Sequence, residues 1–248
     1  MASGHGDLSI LGVRVDDVTM DETLALFTSW IQEGTPHQVV TVNPEFVMAA
    51  QQDTLFRVTL DEADLAVPDG AGLLWASRVL QKPLRERVAG SDVVPRLAEL
   101  SARDGYRLYL LGAAPRVAER TASVLASQHP GVVIVGTYAG SPAPEEEDAI
   151  VARVRAASPD ILLVAYGAPK QDLWIRRNLS RLATPVCMGV GGAFDFVAGV
   201  TRRAPMWMRR AGLEWLHRLI HEPWRWRRML ALPRFAWCVF KSARGRDT

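Results

Sequence analysis

The stretch RLYLLGAAPRVAERTASVLASQHPGVVIVGTY, residues 107–138, decides the fold of this chain. Arg107–Leu111 reads as a strand, Gly112-Ala113-Ala114-Pro115 as a turn, Arg116–Gln128 as a helix and Val132–Tyr138 as the next strand. A strand, a helix of ordinary length and a second strand form the repeating unit of a parallel sheet, because parallel neighbours need a long crossover. The same rhythm continues towards the C-terminus. A helix is expected over Glu145–Ala156, a strand over Ile161–Tyr166, a helix from about Gln171 and a strand over Val186–Val190, closed by Gly191-Gly192. Towards the N-terminus, Ser9–Val13 and Val39–Val42 read as strands, and Asp21–Gln32 as a helix with an acidic first turn. Glu45–Gln52 reads as a helix, Leu65–Val67 as a strand ending in Pro68-Asp69-Gly70, and Gly72–Leu80 as a helix. The expected fold class is α/β, a mostly parallel sheet with helices on both faces. The acidic run Glu145–Asp148 is a solvated helix start favoured by the helix dipole.

This pattern stops near residue 200. Residues 201–248 hold twelve Arg or Lys against three acids, a net charge of +9, whereas residues 1–200 hold seventeen against twenty-four, a net charge of −7. Five of the eight tryptophans also fall there: Trp207, Trp215, Trp224, Trp226 and Trp237. Leu213, Leu216, Leu219 and Ile220 share one helical face, and Glu222-Pro223 ends that helix. The expected organisation is an α/β domain over residues 1–200 and a basic, helical C-terminal appendage over residues 201–248. Cations interleaved with interfacial aromatics suit an anionic, partly apolar surface, with lipid headgroups first and nucleic acid second. No apolar run approaches the ~20 residues of a membrane span, and the N-terminus shows no signal-peptide pattern. A membrane contact is therefore expected to be peripheral and cytoplasmic. Two cysteines, Cys187 and Cys238, in different contexts suggest neither a disulfide framework nor a zinc site.

In parallel sheets, ligands bind outside the carboxyl ends of the strands. Four segments follow apolar runs there: Thr41-Val42-Asn43 with Glu45, Asp69-Gly70, Gly167-Ala168-Pro169-Lys170-Gln171, and Gly191-Gly192-Ala193-Phe194-Asp195. The glycine-rich turns complete neither a dinucleotide fingerprint nor a phosphate loop. There is no Gly-x-Ser-x-Gly elbow and no Asp-x-Asp pair to hold a divalent ion. His217 and His221 are i,i+4 in a tail crowded with cations. A departing diphosphate would need another counter-charge, and arginine is the obvious substitute.

Taken together and in this order, Thr41-x-Asn43, Pro68-Asp69-Gly70, Arg87 before Gly90-Ser91-Asp92, Pro169-Lys170-Gln171, Gly191–Asp195, and Gly212-Leu213-Glu214-Trp215-Leu216 leading to Arg218 and Glu222-Pro223 resemble the WecG/TagA/CpsF glycosyltransferases over about residues 8–230. The resemblance implies a Rossmann-like, GT-E-type fold and an inverting transfer of a sugar from a UDP-sugar to a polyprenyl-diphosphate-linked acceptor, without a metal or other cofactor. It implies work at the cytoplasmic face of a bacterial inner membrane in envelope or exopolysaccharide synthesis, and it leaves room for a homo-oligomer. The donor sugar stays open among N-acetylmannosamine, its uronic acid and glucose. By the same resemblance Asp69 is the general base, while Thr41 and Asn43 orient a substrate. Gln171 and Asp195 line the donor pocket, Arg87 offers a fork to phosphate, and Arg218, Arg225 and Arg228 serve the two diphosphates. Two positions depart from the family's usual letters: Asp172, where Glu is common, and His217, where an aromatic is common.

Plainer roles stand beside these. Thr41 and Asn43 can cap the following helix, Asp195 can be a helix cap or structural carboxylate, Arg87 a surface charge, and the tail arginines headgroup contacts. Two other functions fit parts of the sequence: a non-catalytic polyanion or nucleic-acid binder acting through the tail, and a nicotinamide-dependent oxidoreductase, suggested only by the alternating architecture.

Overall fold

The computed structural model describes residues 7–223 and 226–244. The chain opens with β1 (Asp7–Ile10), β2 (Val13–Asp16), α1 (Met20–Glu33), β3 (His37–Val42), α2 (Pro44–Ala50), α3 (Thr54–Glu62), β4 (Leu65–Pro68), α4 (Ala71–Val79) and α5 (Gly90–Asp104). It continues with β5 (Arg107–Gly112), α6 (Val117–Gln128), β6 (Val133–Tyr138), α7 (Pro144–Ala157), β7 (Ile161–Ala165), α8 (Lys170–Leu182), β8 (Val186–Gly189) and α9 (Ala193–Val197). Four helices follow: α10 (Met206–Arg210), α11 (Glu214–His221), α12 (Trp226–Met229) and α13 (Ala231–Arg244).

Six strands form one parallel sheet in the order β4-β3-β8-β7-β5-β6. The unit at residues 107–138 is the β5-α6-β6 crossover. Alternation along the strands separates the two faces. Leu108, Leu110, Ile161, Leu163, Val186 and Met188 pack with α1, α5, α6 and α9. Tyr109, Leu111, Leu162, Val164 and Cys187 pack with α7 and α8. On that second face, Val40, Val42 and Ala66 meet the β1-β2 hairpin and helices α2, α3 and α4. Burial on both faces explains why the strands read as continuous apolar runs.

Three elements differ from the sequence reading. The single strand expected at Ser9–Val13 is a hairpin: Ile10 pairs with Val13 across Leu11-Gly12, both at positive φ, as a tight two-residue turn requires. Helix α3 has no counterpart in the sequence reading; Asp53 caps it, its carboxylate accepting from the Phe56 backbone N–H at 3.0 Å. Helix α5 has none either, because Pro95 sits inside it and reads as a breaker.

The C-terminal helices pack back onto the α/β body. Phe235 and Val239 of α13 are buried with Phe46, Val47, Leu73 and Ala76 of α2 and α4, and Trp75 meets Phe240 edge to face at 5.2 Å between ring centroids. Among the described residues, no helix is long and apolar enough to cross a membrane.

Candidate active site

The carboxyl ends of β3, β4, β5, β7 and β8 open into one cavity of ≈ 580 Å³, closed on its far side by α11, α12 and the start of α13. Eight of the nine residues singled out from the sequence line it: Thr41, Asn43, Asp69, Arg87, Gln171, Asp195, Arg218 and Arg228. The ninth, Arg225, lies outside the described residues, as does Trp224.

Asp69 follows the last residue of β4. Its backbone N–H donates to the Val42 carbonyl at 2.7 Å. Gly70 follows at φ +112°, a conformation that L side chains rarely adopt, and so lets the chain turn sharply into α4. Burial pushes the Asp69 carboxyl up to about 7. The positive charge of Arg87 opposes the rise, Glu214 reinforces it, the Gly90 N–H at the start of α5 opposes it, and Asp92 adds to it.

Arg87 is not a plain surface charge. Its Nη1 donates to Glu214 Oε2 and its Nη2 to Asp92 Oδ2, both at 3.0 Å. Arg203 binds the same acids, with Nη2 2.6 Å from Asp92 Oδ1 and Nε 3.6 Å from Glu214 Oε1. Arg209 approaches Asp92 at 3.6 Å. Three arginines and two carboxylates thus join α5 and its leading loop to the C-terminal helices beside Asp69.

The remaining residues divide by what holds them. Thr41 Oγ1 donates to the Gly189 carbonyl at 3.1 Å, tying β3 to β8 where both enter the cavity. Asn43 does cap α2, its Oδ1 accepting from the Phe46 N–H at 3.0 Å. Gln171 is almost fully buried, and its Oε1 accepts from the Gly191 N–H at 3.0 Å, so it braces the turn after β8. Asp195 sits in the first turn of α9 rather than at its cap, which is Gly192. Its backbone carbonyl receives the N–H groups of Val200 and Thr201.

Among the described residues, two tail arginines reach the cavity. Arg218 stands over the Phe196 ring at 5.0 Å, and Glu222 holds its Nε at 3.3 Å. A Cβ on Gly192 would lie 2.8 Å from Arg218 Nη2, so the absence of a side chain there lets the guanidinium lie against the turn. Arg228 binds Glu45 Oε2 through Nε at 2.9 Å and Nη2 at 2.8 Å, bridging α12 to α2.

Behind the cavity, Asp172 is fully buried. Burial pushes its carboxyl up to about 8, with the neighbouring Gln171 side chain pulling the other way. Among the described residues, no three His, Cys, Asp or Glu side chains converge as a metal site would require.

In the sequence Arg203 and Arg209 stand out only as part of the tail's charge, and Asp92 and Glu214 only as letters of motifs. Glu214 was the findable one, an acid in a segment with a net charge of +9.

Residues 8–248 match the glycosyl transferase WecG/TagA/CpsF family. A protein of Bacillus subtilis (strain 168) named N-acetylglucosaminyldiphosphoundecaprenol N-acetyl-beta-D-mannosaminyltransferase is 35% identical over 210 residues, 85% of this chain and 81% of the relative. A protein of the same name from Bacillus spizizenii is 33% identical over 88% of this chain and 84% of its own. One from Staphylococcus aureus (strain MW2) is 28% identical over 98% and 95%. With a match spanning nearly its whole length and a cavity lined by the family's motif residues, the chain belongs to the WecG/TagA/CpsF family of glycosyltransferases.

Proposed function

We propose that this enzyme transfers N-acetylmannosamine, with inversion, from UDP to an N-acetylglucosaminyl-diphosphate-polyprenol, and that Asp69 is the general base. The sugar and acceptor are those in the names of the Bacillus and Staphylococcus relatives. One observation carries the role of Asp69: it is the carboxyl at the cavity wall whose pKa burial lifts to about 7, where it can hold a proton and release it.

In this reading the Asp69 carboxylate takes the proton of the acceptor hydroxyl as that oxygen attacks the anomeric carbon. The bond from that carbon to the diphosphate oxygen breaks on the opposite face, and UDP leaves with the electron pair. A single displacement inverts the anomeric centre. Arg218 and Arg228, with Arg225 from the tail, offset the charge that builds on the diphosphate, as guanidinium forks suit phosphate oxygens. No cofactor takes part. Thr41 and Gln171 act by fixing the strand ends and the Gly191-Gly192 turn around the donor.

The C-terminal helices also dock the enzyme on the cytoplasmic leaflet where the acceptor resides. In support, Trp207, Trp226 and Trp237 are exposed on α10, α12 and α13, among the arginines of the tail. Each Lys or Arg near an anionic leaflet contributes on the order of 1 kcal/mol.

The test is transfer from UDP-N-acetylmannosamine to a synthetic lipid-linked N-acetylglucosaminyl diphosphate in the presence of EDTA, with UDP-glucose and UDP-N-acetylmannosaminuronic acid as competitors. The reading predicts a β-linked disaccharide lipid from the first donor. An exclusive α-linked product would overturn the single displacement.

A further inference from the structure

Arg87 is positioned between two alternatives. Its charge acts on Asp69 from nearby, yet its two terminal nitrogens are occupied by Asp92 and by Glu214. Asp92 belongs to the same segment of chain as Arg87, only five residues on. Glu214 does not. It opens α11, 127 residues away from Arg87, and it reaches this arginine only because the C-terminal helices lie over the sheet.

We propose that Glu214 is a positioning residue: by binding Nη1 of Arg87 it keeps that guanidinium from pairing with the Asp69 carboxylate, so that Asp69 stays free to accept a proton once the tail is in place. The proposal rests on the reading of Asp69 as the base.

The charges around Asp69 are consistent with this. Arg87 faces it from the loop before α5, Asp92 from α5 and Glu214 from α11, and Arg203 and Arg209 hold the two acids from the segment around α10. Arg218, Arg228, Asp195 and Glu45 line the same cavity. Counting Arg87, Arg203 and Arg209 against Asp92 and Glu214 leaves one positive charge (3 − 2), which an ionised Asp69 would neutralise. If Glu214 withdraws or loses its charge, Arg87 has a free donor, and Asp69, which already feels the charge of that arginine, is a carboxylate it can turn to. Paired with Arg87, Asp69 would be a weaker base and less available to an acceptor hydroxyl.

The experiment titrates the Asp69 carboxyl by carbon-detected NMR in the substrate-free protein, so it needs no turnover and can fail separately from the proposed reaction. Asp69→Asn identifies the signal. Glu214→Gln is expected to lower the Asp69 midpoint by about 1 unit or more, while Glu214→Asp, which keeps the charge, holds it close to that of the unsubstituted protein. In an Arg87→Gln background the Glu214→Gln shift should shrink markedly, leaving only the direct effect of the Glu214 charge on Asp69. The acid limb of the kcat/KM profile should follow the same shifts, whereas a purely structural role for Glu214 would lower the rate without moving the limb. An unchanged midpoint in Glu214→Gln overturns the proposal. So does an equal shift with and without Arg87, which would make Glu214 a bare charge. If Glu214→Gln fails to fold, Glu214→Ala in the same two backgrounds gives the same comparison.

Discussion

A carboxyl whose pKa burial lifts to about 7 changes charge near neutral pH, and that fixes the direction of its pH dependence. As a base, Asp69 must be deprotonated, so kcat/KM should rise about tenfold per pH unit below about 7 and level off above it. A rate that falls as pH rises through the same range would assign it the opposite role. Asp172 gives a second, independent check, this time on stability. Its folded pKa is raised to about 8 by burial, so between about 4 and 8 the folded state holds a proton that the unfolded state releases. Its contribution to stability therefore falls as pH rises through that window. Asp172→Asn removes the titration, and the variant should gain on the unsubstituted protein by about 1 kcal/mol or more between pH 4 and pH 9. Thermal melts at the two pH values measure it. At this scale the sequence was informative about position and poor on role. Asp69, Thr41 and Asn43 could be found because strand ends bear ligands, and the Asn43 cap was legible because its partner is three residues on, but Thr41 is not a cap: it ties two strands together through a carbonyl 148 residues away. Arg203 is invisible in one dimension, since its partner Asp92 lies 111 residues earlier.

At the scale of elements, the strands were legible because burial on both faces makes them uninterrupted apolar runs, and the helices between them followed from their length. The misses have physical causes. The hairpin at Leu11-Gly12 lacks the usual Asn-Gly or Asp-Gly turn, and Pro95 masks α5. Helix α13 reads as part of a charged tail because Arg234, Lys241 and Arg244 surround its apolar positions. Yet Phe235 and Val239 are buried against α2 and α4. Phe235→Ala should therefore cost ~3–5 kcal/mol of stability, as a core truncation does, measured by denaturant unfolding. A cost below about 1 kcal/mol would mean that α13 is only loosely attached.

At the scale of the whole molecule, the charge split between residues 1–200 and 201–248 acquires two destinations. Part of the positive charge is engaged by the α/β body: Arg203 and Arg209 hold Asp92, Arg218 lies against Gly192, and Arg228 binds Glu45. Arg227, beside Trp226, is exposed and available to a lipid surface. Arg227→Ala should weaken binding to vesicles containing anionic phospholipid by about 1 kcal/mol, read by co-sedimentation, and the loss should shrink at high salt. An unchanged affinity would count against the proposed docking through this part of the tail. The fold, the cavity and the family bring one residue to the centre of the account. Its most direct test is the transfer rate of Asp69→Asn at saturating donor and lipid acceptor, with UDP binding measured on the same preparation. Loss of turnover by about 10² to 10⁴-fold with UDP still bound is the predicted result. A rate close to that of the unsubstituted enzyme would contradict it.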